Sequence, residues 1–203
     1  MPKIDLKKEN KDFYYPSTKK VSMVELPAMK FLMIDGQGDP NTSKEYQNAM
    51  ETIFPVSYKT KFVSKKEKSQ DYVVMPLEGL WWVDNMKDFH LDDRSSWKWT
   101  VMIRQPDFIT KTIINTSIEE LEKKKDLPAL SNLRFENFKE GWAAQIMHIG
   151  PYGEAEAPAV MKIHDFIENK GYELKGKHHE IYISDMRRTK PEKLKTVIRQ
   201  SFG

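Results

Sequence analysis

The residues of this chain best able to do chemistry lie together in one short run: His178, His179, Glu180, Ile181, Tyr182, Ile183 and Ser184. Read as a strand, the run alternates. His179, Ile181 and Ile183 take one face, and His178, Glu180, Tyr182 and Ser184 take the other. The isoleucines are expected to face packed helices, which leaves Glu180 and Tyr182 on the opposite face, toward a cleft. A glutamate beside an aromatic ring in a half-enclosed cleft is partly desolvated. That suits it to general acid/base work or to holding a cation. On a solvated outer sheet face the same two residues would be ordinary, and the pattern leaves both readings open.

A second segment echoes the first. Residues 78–84 (Glu-Gly-Leu-Trp-Trp-Val-Asp) align with 179–185 (His-Glu-Ile-Tyr-Ile-Ser-Asp), which brings Trp81 and Tyr182 to equivalent positions. Another echo follows each, 100–105 (Thr-Val-Met-Ile-Arg-Gln) against 196–200 (Thr-Val-Ile-Arg-Gln). Repeated strands imply one fold built twice, and the junction of two halves is a preferred place for a ligand. Glu78 would be a second carboxylate, but strict alternation sets it on the face opposite Trp81. Only a β-bulge at Gly79 would bring the two together.

The elements that must position this cleft follow from hydrophobic spacing. Residues 29–34 form a strand ended by the Gly-rich 36–40. A helix follows, capped by Asn41, Thr42 or Ser43, with Tyr46, Met50, Ile53 and Phe54 at helical intervals; Pro55 predicts a kink or restart. Strands are expected over 72–83 and 97–104, with a polar loop at 84–96 between them. Residues 108–125 read as a connecting helix and 133–138 as a strand; Lys139-Glu140-Gly141 then turns the chain into a strand over 142–149. After Gly150-Pro151-Tyr152-Gly153 come a helix near 154–169, paired strands at 172–174 and 181–184, and a last strand over 194–200. The order is strand-helix-strand-strand, twice, and the expected class is α+β: an antiparallel sheet with helices on one face. The expected division is an arm over 1–28 and one domain over 29–203. That domain holds pseudo-repeats at 29–106 and 142–203, joined by a connector at 107–141.

Composition removes several function classes. Apolar content of 39% and charged content of 31% fit a soluble globular domain, and 203 residues suffice for one sizeable core. The 33 basic and 30 acidic residues leave a net charge of only +3, without the concentrated basic face of a nucleic-acid binder. Residues 1–28 are too short for a DNA-reading helix-turn-helix domain. There is no cysteine, hence no disulfide and no thiolate nucleophile or ligand. His90, His148, His164, His178 and His179 lack metal-ligand spacing, so no metal or other cofactor is expected. No apolar run reaches membrane-span or signal-peptide length, and a cytoplasmic location is the expectation.

The chain resembles the GyrI-like small-molecule-binding proteins. The resemblance is carried by residues 179–185 followed by 187–196 (Arg-Arg-Thr-Lys-Pro-Glu-Lys-Leu-Lys-Thr), by 148–152 (His-Ile-Gly-Pro-Tyr), by 76–81 (Pro-Leu-Glu-Gly-Leu-Trp) and by 100–108. It implies duplicated strand-helix-strand-strand (SHS2-type) units with a ligand cleft between them. It also implies a pocket glutamate, carried over to Glu180, with Trp81, Tyr152 and Tyr182 as aromatic walls. Fused members sense amphipathic, often cationic drugs. Free-standing members hydrolyse cyclopropanoid DNA-alkylating antibiotics, and this chain is similar to that subgroup. Two readings remain: hydrolysis of a planar cyclopropanoid with Glu180 acting on water, or binding of cations or a partner protein without chemistry. Glu78 is a further candidate contact in either.

Overall fold

The computed structural model describes residues 3–86, 89 and 94–203. Six antiparallel strands form one sheet: β1 (Ser22–Gln37), β2 (Leu77–Trp82), β3 (Lys98–Gln105), β4 (Arg134–Ile149), β5 (Leu174–Tyr182) and β6 (Lys195–Phe202). Their order is β1-β3-β2-β5-β6-β4, and β4 pairs back onto β1, so the sheet closes into a barrel. Three longer helices pack outside it: α3 (Lys44–Lys68), α4 (Lys111–Glu122) and α5 (Ala157–Asn169). The two short helices α1 (Leu6–Glu9) and α2 (Lys11–Tyr14) precede β1. The class is therefore α+β with an antiparallel sheet, and strand-helix-strand-strand occurs twice along it. No described helix is long and apolar enough to cross a membrane.

Closure gives every strand two apolar destinations, and the cross-strand partners show which residues take each. One row runs Met33, Met102, Glu78, Ile181, Val197, Met147. Met33 and Met102 of this row cluster with Leu26, Phe31 and Leu80, with Phe13 of α2 packed against them. Ile181, Val197 and Met147 carry the same face into the larger core. The row lies opposite the face that α5 covers and so lines the barrel interior. The adjacent row runs Ile34, Val101, Gly79, Glu180, Ile198, Ile146. Here Ile34 and Val101 pack with Ile53 and Val56 of α3, while Ile146 and Ile198 pack with Ile163 and Ile167 of α5. This reverses one expectation. Ile181 points into the barrel, and Glu180 with Tyr182 lies on the face the helices cover. An open sheet would have only one apolar side to offer the isoleucines; a closed one has two.

Other differences have local causes. Pro55 does not interrupt α3, which runs unbroken for 25 residues. The Glu51 carbonyl, left without its helical donor, accepts from Lys125 Nζ at 3.5 Å instead. Ser43 supplies the cap, its Oγ accepting from the Tyr46 N–H at 3.3 Å. Lys139-Glu140-Gly141 is not a turn: β4 passes straight through it, and Gly141 absorbs a local distortion at φ +77°. β5 is one strand where two short ones were expected, and β1 starts at Ser22, well before residue 29. Tyr72 makes an isolated parallel bridge to Ile4 and lies before β2 rather than in it. Of the loop expected at 84–96, residues 87, 88 and 90–93, His90 among them, lie outside the described residues.

Candidate functional site

β5 is a strand because its apolar and polar residues alternate between two buried faces, and the outer face carries His178, Glu180 and Tyr182 at successive outward positions. Their side chains meet. Glu180 Oε1 lies 3.0 Å from His178 Nε2, and Glu180 Oε2 accepts from the Tyr182 hydroxyl at 2.7 Å. The carboxylate is 5% exposed. Burial raises its pKa, but hydrogen bonds from His178 and Tyr182, with the charge of Arg94 nearby, outweigh that and hold it below the usual value. Glu180 is therefore an ionised carboxylate in an enclosed place.

Aromatic rings surround it. Tyr152 meets Tyr182 edge-on with centroids 5.3 Å apart. Trp81, on β2, stacks with Tyr46 of α3 at 6.1 Å, and Tyr46 in turn meets Trp99 edge-on at 5.2 Å. Tyr46 is close enough to Glu180 and Tyr152 for their charges to add to burial in raising its pKa. It thus enters the space between Trp81 and Tyr182 from the helix. Burial, then the charges of Glu156 and Glu180, push the Tyr152 phenol up to about 12. Burial and Glu180 raise Tyr182 strongly. All three tyrosines remain hydroxyl donors at neutral pH.

A second carboxyl sits beside the first. Glu156 ends the 3-10 turn Gly153–Glu156 and is fully buried, and its Oε2 accepts from the Gly153 N–H at 2.7 Å. Burial and then the charge of Glu180 raise its pKa to about 9. The two carboxyls therefore divide their ionisation: Glu180 is held charged and Glu156 protonated. Arg94 stacks on Trp97 at 5.2 Å and lies against Gly153, and its charge favours the ionised form of both glutamates. Glu156 Oε1 and the Trp81 indole nitrogen are buried without hydrogen-bond partners among the described residues. Buried polar atoms are rarely left so, and each is an attachment point for a ligand or water.

A cavity of about 470 Å³ adjoins this constellation, between α5 and β5. Met86, Phe89, Val160, Met161 and Leu174 give it apolar walls, and His178 forms part of its floor. That volume is in the range of small-molecule sites, roughly 300–1,000 Å³.

Glu180, Tyr182, Tyr152 and Trp81 therefore belong to one neighbourhood, while Glu78 is elsewhere. β2 is regular through Gly79, and no bulge turns Glu78 outward. It points into the barrel, where its Oε2 lies 3.1 Å from His179 Nε2. His179 Nδ1 is 3.0 Å from Glu140, which also accepts from Arg199 at 3.2 Å. Burial works against ionising Glu140, yet His179 and Arg199 hold its pKa down to about 2. The N-terminal segment completes this interior network: the Phe13 carbonyl accepts from Arg199 at 2.7 Å, and the Tyr14 hydroxyl accepts from Arg104 at 3.2 Å.

Sequence reasoning missed Tyr46, Glu156, Arg94 and the cavity. Tyr46 looked like one more residue of an apolar helix stripe. Glu156 lies in the segment read only as the start of a helix near 154–169. The spacing carried one signal for Glu156: a Gly-rich loop leading straight into a helix often brings the first-turn residues against a site.

Residues 19–199 match the family of the GyrI-like small molecule binding domain. Among solved structures, an uncharacterized conserved protein from Listeria innocua is 40% identical, with a TM-score of 0.91 over 99% of this chain and 100% of that one. A structure described as a hydrolase from Listeria innocua is 38% identical, with a TM-score of 0.85 over 99% of this chain and 100% of the other. The EcmrR C-terminal domain shares the fold at 15% identity, with a TM-score of 0.57 over 91% of this chain and 97% of that domain. No curated protein matches the chain.

Proposed function

The chain belongs to the GyrI-like small-molecule-binding family, and from that premise we propose that it captures planar, hydrophobic or cationic molecules beside Glu180 and hydrolyses those that carry a strained cyclopropane. The observation that carries this reading is the ionised, 5%-exposed Glu180 enclosed by tyrosine and tryptophan rings. Flat rings gain from burial in the apolar cavity and from edge contact with Tyr152 and Tyr182 beside it, while Trp81, covered by Tyr46, braces the wall from behind. Glu180 supplies the negative charge of the site, felt by a cation at short range and by water through the side chains bonded to it. A protonated Glu156 and the Tyr152 hydroxyl are donors for a carbonyl oxygen that gains charge as the ring opens. The strain stored in the electrophile lowers what catalysis must supply, so positioning in a dry site goes far. Both Listeria innocua structures described as hydrolases, 38% and 39% identical to this chain, support the hydrolytic form of the reading.

Incubation of the protein with a cyclopropanoid alkylator should give the ring-opened alcohol catalytically. A ring-opening rate equal to that in buffer alone removes the hydrolase reading. The second reading, capture without chemistry, draws on Arg94, whose guanidinium stacks on Trp97 within the field of Glu180 and Glu156. A cationic group already sits where a cationic ligand would be held. Saturable, stoichiometric binding of a cationic planar dye, with the dye recovered intact and a neutral analogue bound more weakly, would favour it.

A further inference from the structure

Building on the hydrolase reading, we propose that His178 is the group that activates water, that Glu180 is a positioning residue acting through it, and that the cavity between α5 and β5 is the chamber for the flat apolar substrate.

Glu180 has little left to offer a ligand directly. One of its oxygens is taken by His178 at 3.0 Å and the other by Tyr182 at 2.7 Å. The cavity touches His178 and does not touch Glu180. The partners of Glu180 also set the imidazole tautomer. An ionised carboxylate that already accepts from a phenol is an acceptor at its other oxygen too, so His178 Nε2 carries the proton and donates it. In that tautomer Nδ1 is the nitrogen that holds the lone pair. This is the form a general base needs: one nitrogen anchored to a carboxylate, the other available. Phe89 lies 5.6 Å from the imidazole and holds its plane from the cavity side. The walls of Met86, Val160, Met161 and Leu174 are adaptable and apolar, matched to a broad flat hydrocarbon surface.

The step balances with water as the only co-reactant. The water oxygen bonds to the ring methylene carbon while His178 Nδ1 takes its proton. The cyclopropane C–C bond breaks, and its electron pair moves through the conjugated system onto the carbonyl oxygen. That oxygen takes up a proton, His178 returns its own to solvent, and the product is the substrate plus one water.

Turnover of a cyclopropanoid alkylator by four proteins tests this. His178→Gln keeps a donor for Glu180 but has no imidazole base, and kcat should fall by about 10²–10⁴ with KM little changed. His178→Ala should lose as much and regain part of the rate with added imidazole, saturably. Glu180→Gln should lose kcat through the wrong tautomer, with no gain from imidazole. Val160→Trp, which fills the cavity, should raise KM. Wild-type kcat in His178→Gln, or an unchanged KM in Val160→Trp, overturns the corresponding part while the hydrolase reading stands. Absence of turnover by the wild-type protein removes both.

Discussion

Two adjacent pairs of residues where β2 meets β5 differ in opposite senses. Matching Trp81 with Tyr182 also matches Gly79 with Glu180 and Glu78 with His179. Gly79 and Glu180 are direct cross-strand partners. On the outer face the first copy has no side chain, and the Trp81 indole lies over the vacated space: a Cβ on Gly79 would come within 2.6 Å of its nitrogen. The second copy keeps a carboxylate there. On the inner face both copies keep polar groups that meet, Glu78 Oε2 lying 3.1 Å from His179 Nε2, while Glu78 Oε1 has no partner among the described residues. Divergence inside the barrel produced a closed ion network. One residue along, on the other face, it produced a carboxylate ringed by aromatics beside a cavity.

The largest effect should come from the inner network. Arg199→Ala leaves Glu140 a buried carboxylate short of a partner, and stability measured by denaturant unfolding should fall by about 3–5 kcal/mol. A loss within 0.5 kcal/mol would mean the interior is wetter than this picture requires. The outer pair should respond more mildly. Gly79→Ala pushes a methyl group into the Trp81 indole, at a cost of about 1–3 kcal/mol, and ligand-induced quenching of tryptophan fluorescence should weaken. Unchanged stability and quenching would show that Trp81 is not held by the missing side chain.

Glu156→Gln should move stability the other way. The folded protein keeps Glu156 protonated up to about pH 9, whereas the unfolded chain ionises it near 4.5. The folded pKa is raised, so between those values the unfolded state binds fewer protons, and this carboxyl weakens folding more as pH rises. The amide removes that slope, and the variant should gain about 1–2 kcal/mol on the wild type at neutral pH, less at pH 5. An advantage that does not grow with pH would mean that Glu156 is ionised in the folded protein.

Much of this was legible because it is local. Period-two alternation put Glu180 and Tyr182 on one face, and their bond at 2.7 Å follows from that spacing. The echo of 78–84 in 179–185 falls on two strands that are neighbours, with Gly79 opposite Glu180 and Trp81 opposite His178. The second echo was out of step. Val101 pairs with Gly79 and Ile198 with Glu180, so Thr100 corresponds to Val197 rather than to Thr196. Short motifs rich in β-branched residues recur by composition, and only register decides which positions are equivalent.

The sequence by itself determined the element types, their order in two runs, and the split of His178, Glu180 and Tyr182 from His179 and Ile181. Backbone geometry dictates each of these within a few residues. The tertiary structure decided the rest. Closure of the sheet chose which face the helices cover, and so turned Ile181 inward and Glu180 beneath α3 and α5. It brought Tyr46 and Glu156 from distant segments to the carboxylate, and desolvation there set one glutamate ionised and the other protonated. A carboxyl's charge state depends on what surrounds it in space, and no run of neighbouring residues contains that information.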